Sequence, residues 1–379
     1  MNASAAEHIA AAQVVVPSPD LAATLAFFTD VLGFRVESIF PADRPTVAVI
    51  TGYGTRLRLD GAVTGTPPDL RLECHEPDAV AGGVRTLTAP NGSVVHLVPA
   101  VRPLVIPPEQ QSFVLTRVAD VPWGSGRAGM RYRDLIPDRQ GGRFIASHIH
   151  IPTAGPVPDY VHFHKVRFQM IFCHRGWVRL VYEDQGDPFV LEAGDCVLQP
   201  PEIRHRVLES GGDLQVVEIG CPAVHETFAD PATRLPTGVL APERDFGGQR
   251  FVRHVAATAP WAPWRFPGYE CRTIGFGAAT DGLAEARVAR PVNGADDSDT
   301  STPTTARGVS LVAHHGEFAF AFVLTGTITL VRDGADGVRL GEADCVVIPA
   351  GVPHAFVEPS ADLELLDVTL PASLPLASP

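Results

Sequence analysis

The chain has no run of ~18 or more uncharged apolar residues, the length a helix needs to span a bilayer, so a membrane role is not expected. It has no basic block either. Acidic residues outnumber basic ones 43 to 30, and the net charge of −13 leaves nothing arranged to meet phosphates. A nucleic-acid partner is therefore not expected. There is no CxxC pair: Cys74, Cys173, Cys196, Cys221, Cys271 and Cys345 are widely spaced. They read as reduced, mostly buried thiols rather than a disulfide framework. The N-terminus lacks the basic-then-apolar pattern of a secretory signal, so the expected location is cytoplasmic.

What is present is an ordinary globular composition over 379 residues, 45% apolar and 19% charged, enough for two or three domains. The 35 glycines and 35 prolines punctuate short apolar runs, which predicts many turns and short strands. Residues 12–16 read as a strand, and Pro19-Asp20 as a helix start. Leu21, Leu25, Phe28 and Leu32 then recur at helical spacing until Gly33 ends the helix. Strands are predicted near 34–40, 45–50, 55–59, 68–73, 84–88 and 93–98, a βαβββ pattern with extra strands. Residues 101–142 read as a connector that packs on its neighbours, 143–222 as strand-rich, 223–265 as an irregular link, and 266–379 as a second strand-rich unit. The polar stretch 293–305 within it reads as a mobile surface loop.

The two strand-rich units repeat each other. Gly194-Asp195-Cys196, Pro200 and His205 correspond to Ala343-Asp344-Cys345, Pro349 and His354 at a constant offset of 149 residues (344 − 195, 354 − 205). Upstream the offset is 150: His164 corresponds to His314, and Gly176 to Gly326. A duplicated all-β unit is predicted, with a one-residue length difference somewhere between Gly176 and Gly194.

In the first copy, His162 and His164 alternate on a strand and so share a face. Paired imidazoles of this kind are donors suited to Fe, Zn, Ni, Cu or Mn. Tyr160 has the same parity and Arg167 lies three residues beyond His164; both are candidates for binding a substrate anion, with a salt bridge as the alternative for Arg167. His148 and His150 alternate just upstream, and a place in the pocket is considered for them; His174 reads as a surface residue.

Gly155, His162-x-His164, Gln169 and Gly176, followed by Gly194, Pro200 and His205, resemble the two motifs of the cupin family. The resemblance implies a small double-stranded β-helix, or jelly-roll, barrel in each copy. It also implies that His162, His164 and His205 ligate one divalent metal, Fe(II) first, with Zn, Ni or Mn as alternatives. Gln169 stands where the family carries a glutamate, and is either a weak oxygen ligand or a hydrogen-bond donor to substrate. In the second copy Val312 replaces the first histidine and Ala319 the acidic position. A weaker site there would use His314, Glu317 and His354; a purely structural second barrel is the favoured reading.

Gln13-Val14-Val15-Val16, Leu25–Phe34 and Asn91–Leu97 resemble the glyoxalase/bleomycin-resistance, or vicinal oxygen chelate, family. Gln13 matches a ligand position there, and His96 replaces a glutamate. With only a remnant at Asp78–Gly82 where a second helix belongs, residues 1–100 are expected to pack or sense rather than bind metal. The expected architecture is thus mainly β: a small α+β domain, then two cupin barrels. The activity implied is that of a non-haem metal-dependent dioxygenase acting on a small, anionic, oxygen-chelating metabolite such as a catechol, enol or diketone. The alternatives are a metal-dependent isomerase, lyase or decarboxylase, and a non-enzymatic binder. The cupin resemblance also implies a homodimer.

Overall fold

Short β-rich segments cut by glycine and proline cannot bury much surface singly, so they pair into sheets. The computed structural model describes residues 8–101, 103–126, 129–292 and 310–377; the stretch 293–305 lies outside them. The chain divides into two units, Met1–Pro103 and Leu104–Pro379. No helix among the described residues is long and apolar enough to cross a membrane.

In the first unit Asp20 caps the helix Leu21–Ala26 by accepting from the Ala23 amide at 3.0 Å. The next turn, Phe27–Val31, widens to a π-helix, and Gly33 exits at φ +74°. Leu21, Phe28 and Leu32 are buried against a four-stranded sheet, as their spacing predicts. In that sheet Val14–Pro17 runs parallel to Thr55–Asp60, and Val47–Gly52 and Arg35–Phe40 complete it. The second half of the unit repeats this plan in reduced form. Leu70–Cys74 runs parallel to Val94–Pro99, and Thr86–Thr88 is the only other strand there. Two 3-10 turns, Pro77–Ala79 and Ala81–Gly83, stand where the helix would be.

The second unit is mainly β and has two lobes. The first is built around the long antiparallel pair Phe168–Tyr182 and His205–Cys221, and the second around Phe318–Thr325 and Glu364–Leu370. Alternation along these strands sorts their side chains. Phe168, Met170 and Phe172, with Val217, Ile219 and Cys221, join Phe318, Phe320, Phe322 and Leu366 in one core shared by both lobes. The residues between them face each lobe's own interior: Cys173, Leu214 and Val216 in the first, Ala321, Val323 and Leu365 in the second.

The one-residue difference between the copies sits in a hairpin. Leu180 pairs with Phe189 around residues 181–188, whereas Leu330 pairs with Val338 around the shorter 331–337. Surface hairpins absorb such changes at little cost. Gly176 has φ +70°, and a Cβ there would lie 2.5 Å from the Gly211 carbonyl oxygen, so this crossing of the long strands requires glycine. The segments read as connectors also carry strands. Val114–Thr116 adds to the second lobe beside Cys345–Val347, and Val252–His254 adds to the first beside Cys196–Leu198. Each lobe therefore borrows an edge strand from chain outside its own repeat.

Candidate metal centre

Pairing and alternation bring the first-lobe histidines together. His162 lies directly across from His205 in the sheet, and His164 lies across from Thr227. The nitrogens of His162, His164 and His205 that could ligate a metal all lie within 4.8 Å of one another, and all three residues are buried. Bonds of ~2.1 Å to a shared cation cap such separations at ~4.2 Å, so the widest pair needs at most ~0.6 Å of closure.

Backbone carbonyls fix two of the rings. His162 Nδ1 donates to the Tyr160 carbonyl at 2.8 Å, and His205 Nδ1 donates to the Ile203 carbonyl at 3.0 Å. An Nδ1–H tautomer puts the lone pair on Nε2, the form that binds metal. Behind His162, the wholly buried Asp159 carboxylate lies 3.6 Å from Nδ1 and accepts from the Val207 amide. The Thr227 hydroxyl is 3.4 Å from His164 Nδ1. Tyr182 stacks on His205 with centroids 5.5 Å apart, and burial pushes its phenol well above its ordinary range, keeping it neutral. The Gln199 amide reaches His205 Nε2 at 2.9 Å.

The three histidines, Tyr182 and Gln199 line one cavity together with Gln169 and Glu218. Gln169 donates its amide to Glu218 Oε1 at 2.6 Å, so here it acts as a hydrogen-bond donor to a carboxylate. Glu218 was not anticipated. It sits inside Val216-Val217-Glu218-Ile219, and an acid in so apolar a run was its only local signal. Asp159, Thr227, Tyr182 and Gln199 were also missed.

Other candidates lie elsewhere. Tyr160 is half-exposed, and although its ring meets His162 edge-on at 5.7 Å, it does not line the cavity. Arg167 forms a bidentate pair with Glu317 at 2.6 and 3.1 Å and does not line the cavity either. His148 and His150 share the parity of Ala146, which faces the core between the lobes, while Ile149 and Ile151 face the cavity. His148 packs on Trp123, His174 and Phe322, and burial lowers its pKa from 6.5 to about 3. His174 is not a surface residue: its side chain is 5% exposed and bonds the Leu324 carbonyl.

The second-lobe set does not assemble. His314 has Nε2 donating to the Ile348 carbonyl and Nδ1 accepting from the Gly316 amide, both backbone partners, whereas the Nε2 partner of His205 is a side chain that can turn away. Glu317 is held by Arg143 and Arg167 of the first lobe. His354 donates to the Val352 carbonyl, and burial lowers its pKa to about 4. Trp264, Phe266 and Phe356 fill the interior around it. Asp367, 149 residues after Glu218 and across from Ala321 as Glu218 is from Ile171, is bound by Arg265. In the first unit Gln13 is exposed, and His96, which contacts the Thr86 hydroxyl, joins no cluster of three or more His, Cys, Asp or Glu ligands among the described residues.

The family model described as "Cupin domain" matches residues 303–369, within the second lobe. That described as "Glyoxalase/Bleomycin resistance protein/Dioxygenase superfamily" matches residues 8–104. Residues 8–104 are thus similar to a glyoxalase-type domain and residues 303–369 to a cupin domain. The first lobe, which bears the histidines, relates to that cupin domain through the internal repeat. Among solved structures, the chain is similar to oxalate decarboxylase from Lactobacillus farciminis at 14% identity and TM-score 0.47, covering 72% of this chain and 91% of that one. It is similar to the Bacillus subtilis oxalate decarboxylase at 11% identity and TM-score 0.49, covering 73% and 79%. For the protein Ylba from E. coli the values are 10% and 0.45, covering 70% and 93%. Likeness at this level bears on neither activity nor substrate. No curated protein matches the sequence.

Proposed function

We propose that the first cupin lobe is a metal-dependent enzyme site in which His162, His164 and His205 hold one divalent cation. The reaction we assign is oxygenation of a small molecule that presents two chelating oxygens, as a catechol, enol or diketone does. The observation that carries this reading is the convergence of three buried imidazoles, two fixed in the metal-binding tautomer, in a cavity with mostly aliphatic walls. Fe(II) is the first candidate, with Zn, Ni and Mn behind it, because neutral imidazoles accept all four. When bound, the cation supplies undiminished positive charge toward an anionic chelate and, if it is iron, one-electron chemistry.

The chain's own residues supply the rest. The aliphatic walls exclude water and confine the substrate near the imidazoles. Gln169 holds one oxygen of Glu218, which leaves the other to take the proton of the substrate hydroxyl.

Glu218 also favours a second reading, a non-redox isomerase, lyase or decarboxylase, because carbon–hydrogen and carbon–carbon chemistry needs a proton carrier. An oxygen electrode separates the two. Metal-reconstituted protein screened with catechols, β-diketones and flavonols should consume oxygen only in the presence of substrate. Equal product formation under strict anaerobiosis would refute the oxygenase reading.

A further inference from the structure

The cavity wall is divided along its strands. On Phe168–Tyr182 the polar lining residues are Gln169 and Tyr182, near the two ends, while Ile171, Val178 and Leu180 lie between them. On His205–Cys221 the same order recurs, with His205 and Glu218 outside and Val207, Leu214 and Val216 inside. The two strands pair throughout and cross at Gly176, against Gly211 and Gly212. Polar ends therefore stack on polar ends, and aliphatic middles on aliphatic middles. Met130, Ile149 and Ile151 from neighbouring segments extend the aliphatic part, so nine of the seventeen lining residues carry apolar side chains without a ring. Gln199, whose backbone amide donates to the Gln169 carbonyl and whose side chain reaches His205 Nε2, ties the two polar ends together, so the cavity has one polar pole at the histidines and an apolar pole beyond them.

The charges on the wall are equally one-sided. No arginine or lysine lines the cavity; outside the histidines its one ionisable group of full charge is the Glu218 carboxylate. A small dianion would meet no fixed cation of the protein, would face that carboxylate, and would leave the aliphatic pole uncovered by ligand.

We infer that the site takes an amphipathic ligand: a compact chelating oxygen head, ionised on binding, joined to an uncharged apolar body. This rests on the metal-site reading above and narrows its substrate class. Small dicarboxylates, and catechols carrying a carboxylate on the far side of the ring, are disfavoured.

The test is equilibrium binding to the full chain loaded with Zn(II), which is redox-inert, so that no turnover intervenes. Titration calorimetry would compare catechol, 4-methyl-, 4-ethyl-, 4-propyl- and 4-butylcatechol, 3,4-dihydroxybenzoate and oxalate. Each added methylene should tighten binding about threefold to fourfold. 3,4-Dihydroxybenzoate should bind at least tenfold more weakly than 4-methylcatechol, and oxalate no more tightly than catechol. In Leu180→Asn the ratio of catechol to butylcatechol Kd should fall at least fivefold, with zinc content retained as the check on folding. Ile171→Thr is a milder variant expected to move the ratio the same way. A flat alkyl series, or tight oxalate binding, overturns the inference while leaving the metal site standing. Failure of every catechol to bind zinc-loaded protein overturns both.

Discussion

His148 allows a prediction whose size follows from the structure. Its side chain is buried between Trp123, His174 and Phe322. Burial is the largest cause of its lowered pKa, followed by the neighbouring His174 and Arg133. The folded value of about 3 lies below the ordinary 6.5, so the unfolded chain binds this proton first as pH falls. Stability is therefore complete above pH 6.5 and is lost between 6.5 and about 3, at about 1.4 kcal/mol per pH unit. From pH 7 to pH 5 the loss from this one residue is about 2 kcal/mol. Because pH 5 is still above the folded value, that figure depends on the unfolded pKa almost alone. His148→Phe removes the titrating group and keeps a ring in the space. Urea unfolding followed by tryptophan fluorescence is well suited, since Trp123, Trp177, Trp261 and Trp264 all lie in the second unit. Between pH 7 and pH 5 the variant should lose about 2 kcal/mol less than the unsubstituted chain. Identical pH slopes for the two proteins would refute the reasoning.

Other predictions concern lobe docking, the surroundings of the site and the fold. Glu317→Gln strands Arg143 and Arg167, which are 15% and 27% exposed, and should cost about 2 kcal/mol, between the values for surface and fully buried pairs. Denaturation midpoints check this, and metal content should not change. Asp159→Asn removes the carboxylate behind His162 and should weaken metal affinity by about 10- to 100-fold in a competition titration with a chelator. Gly176→Ala must place a Cβ against the Gly211 and Gly212 carbonyls at positive φ, so its melting temperature should fall by an amount equivalent to about 2 kcal/mol or more.

The parts of the fold legible in the sequence are those governed by local periodicity and by the repeat. Helical spacing placed Leu21, Phe28 and Leu32 on one buried face, and strict alternation put His162 and His164 side by side. Alternation gives Arg167 no place beside the histidines, because it lies an odd number of residues from His162 and His164, and the strand itself ends at His164 with the next beginning at Phe168. For His148 and His150 the alternation was right, but which face turns inward is decided by pairing with His205–Cys221, a long-range property. The borrowed strands Val114–Thr116 and Val252–His254 escaped notice because three residues acquire strand character only from the partner sheet. Glu218 belongs to no local motif, yet the same 149-residue offset that aligned the histidines pairs it with Asp367. Following that offset thirteen residues beyond His205, along the same strand, would have singled it out.

The central claim is that three imidazoles of the first lobe hold one cation. Elemental analysis of anaerobically purified full chain tests it most directly, comparing the unsubstituted protein with His205→Ala and His354→Ala. The account predicts about one divalent metal per chain in the first, little in His205→Ala, and an unchanged content in His354→Ala. Full metal content in folded His205→Ala, or loss of metal only in His354→Ala, would contradict it.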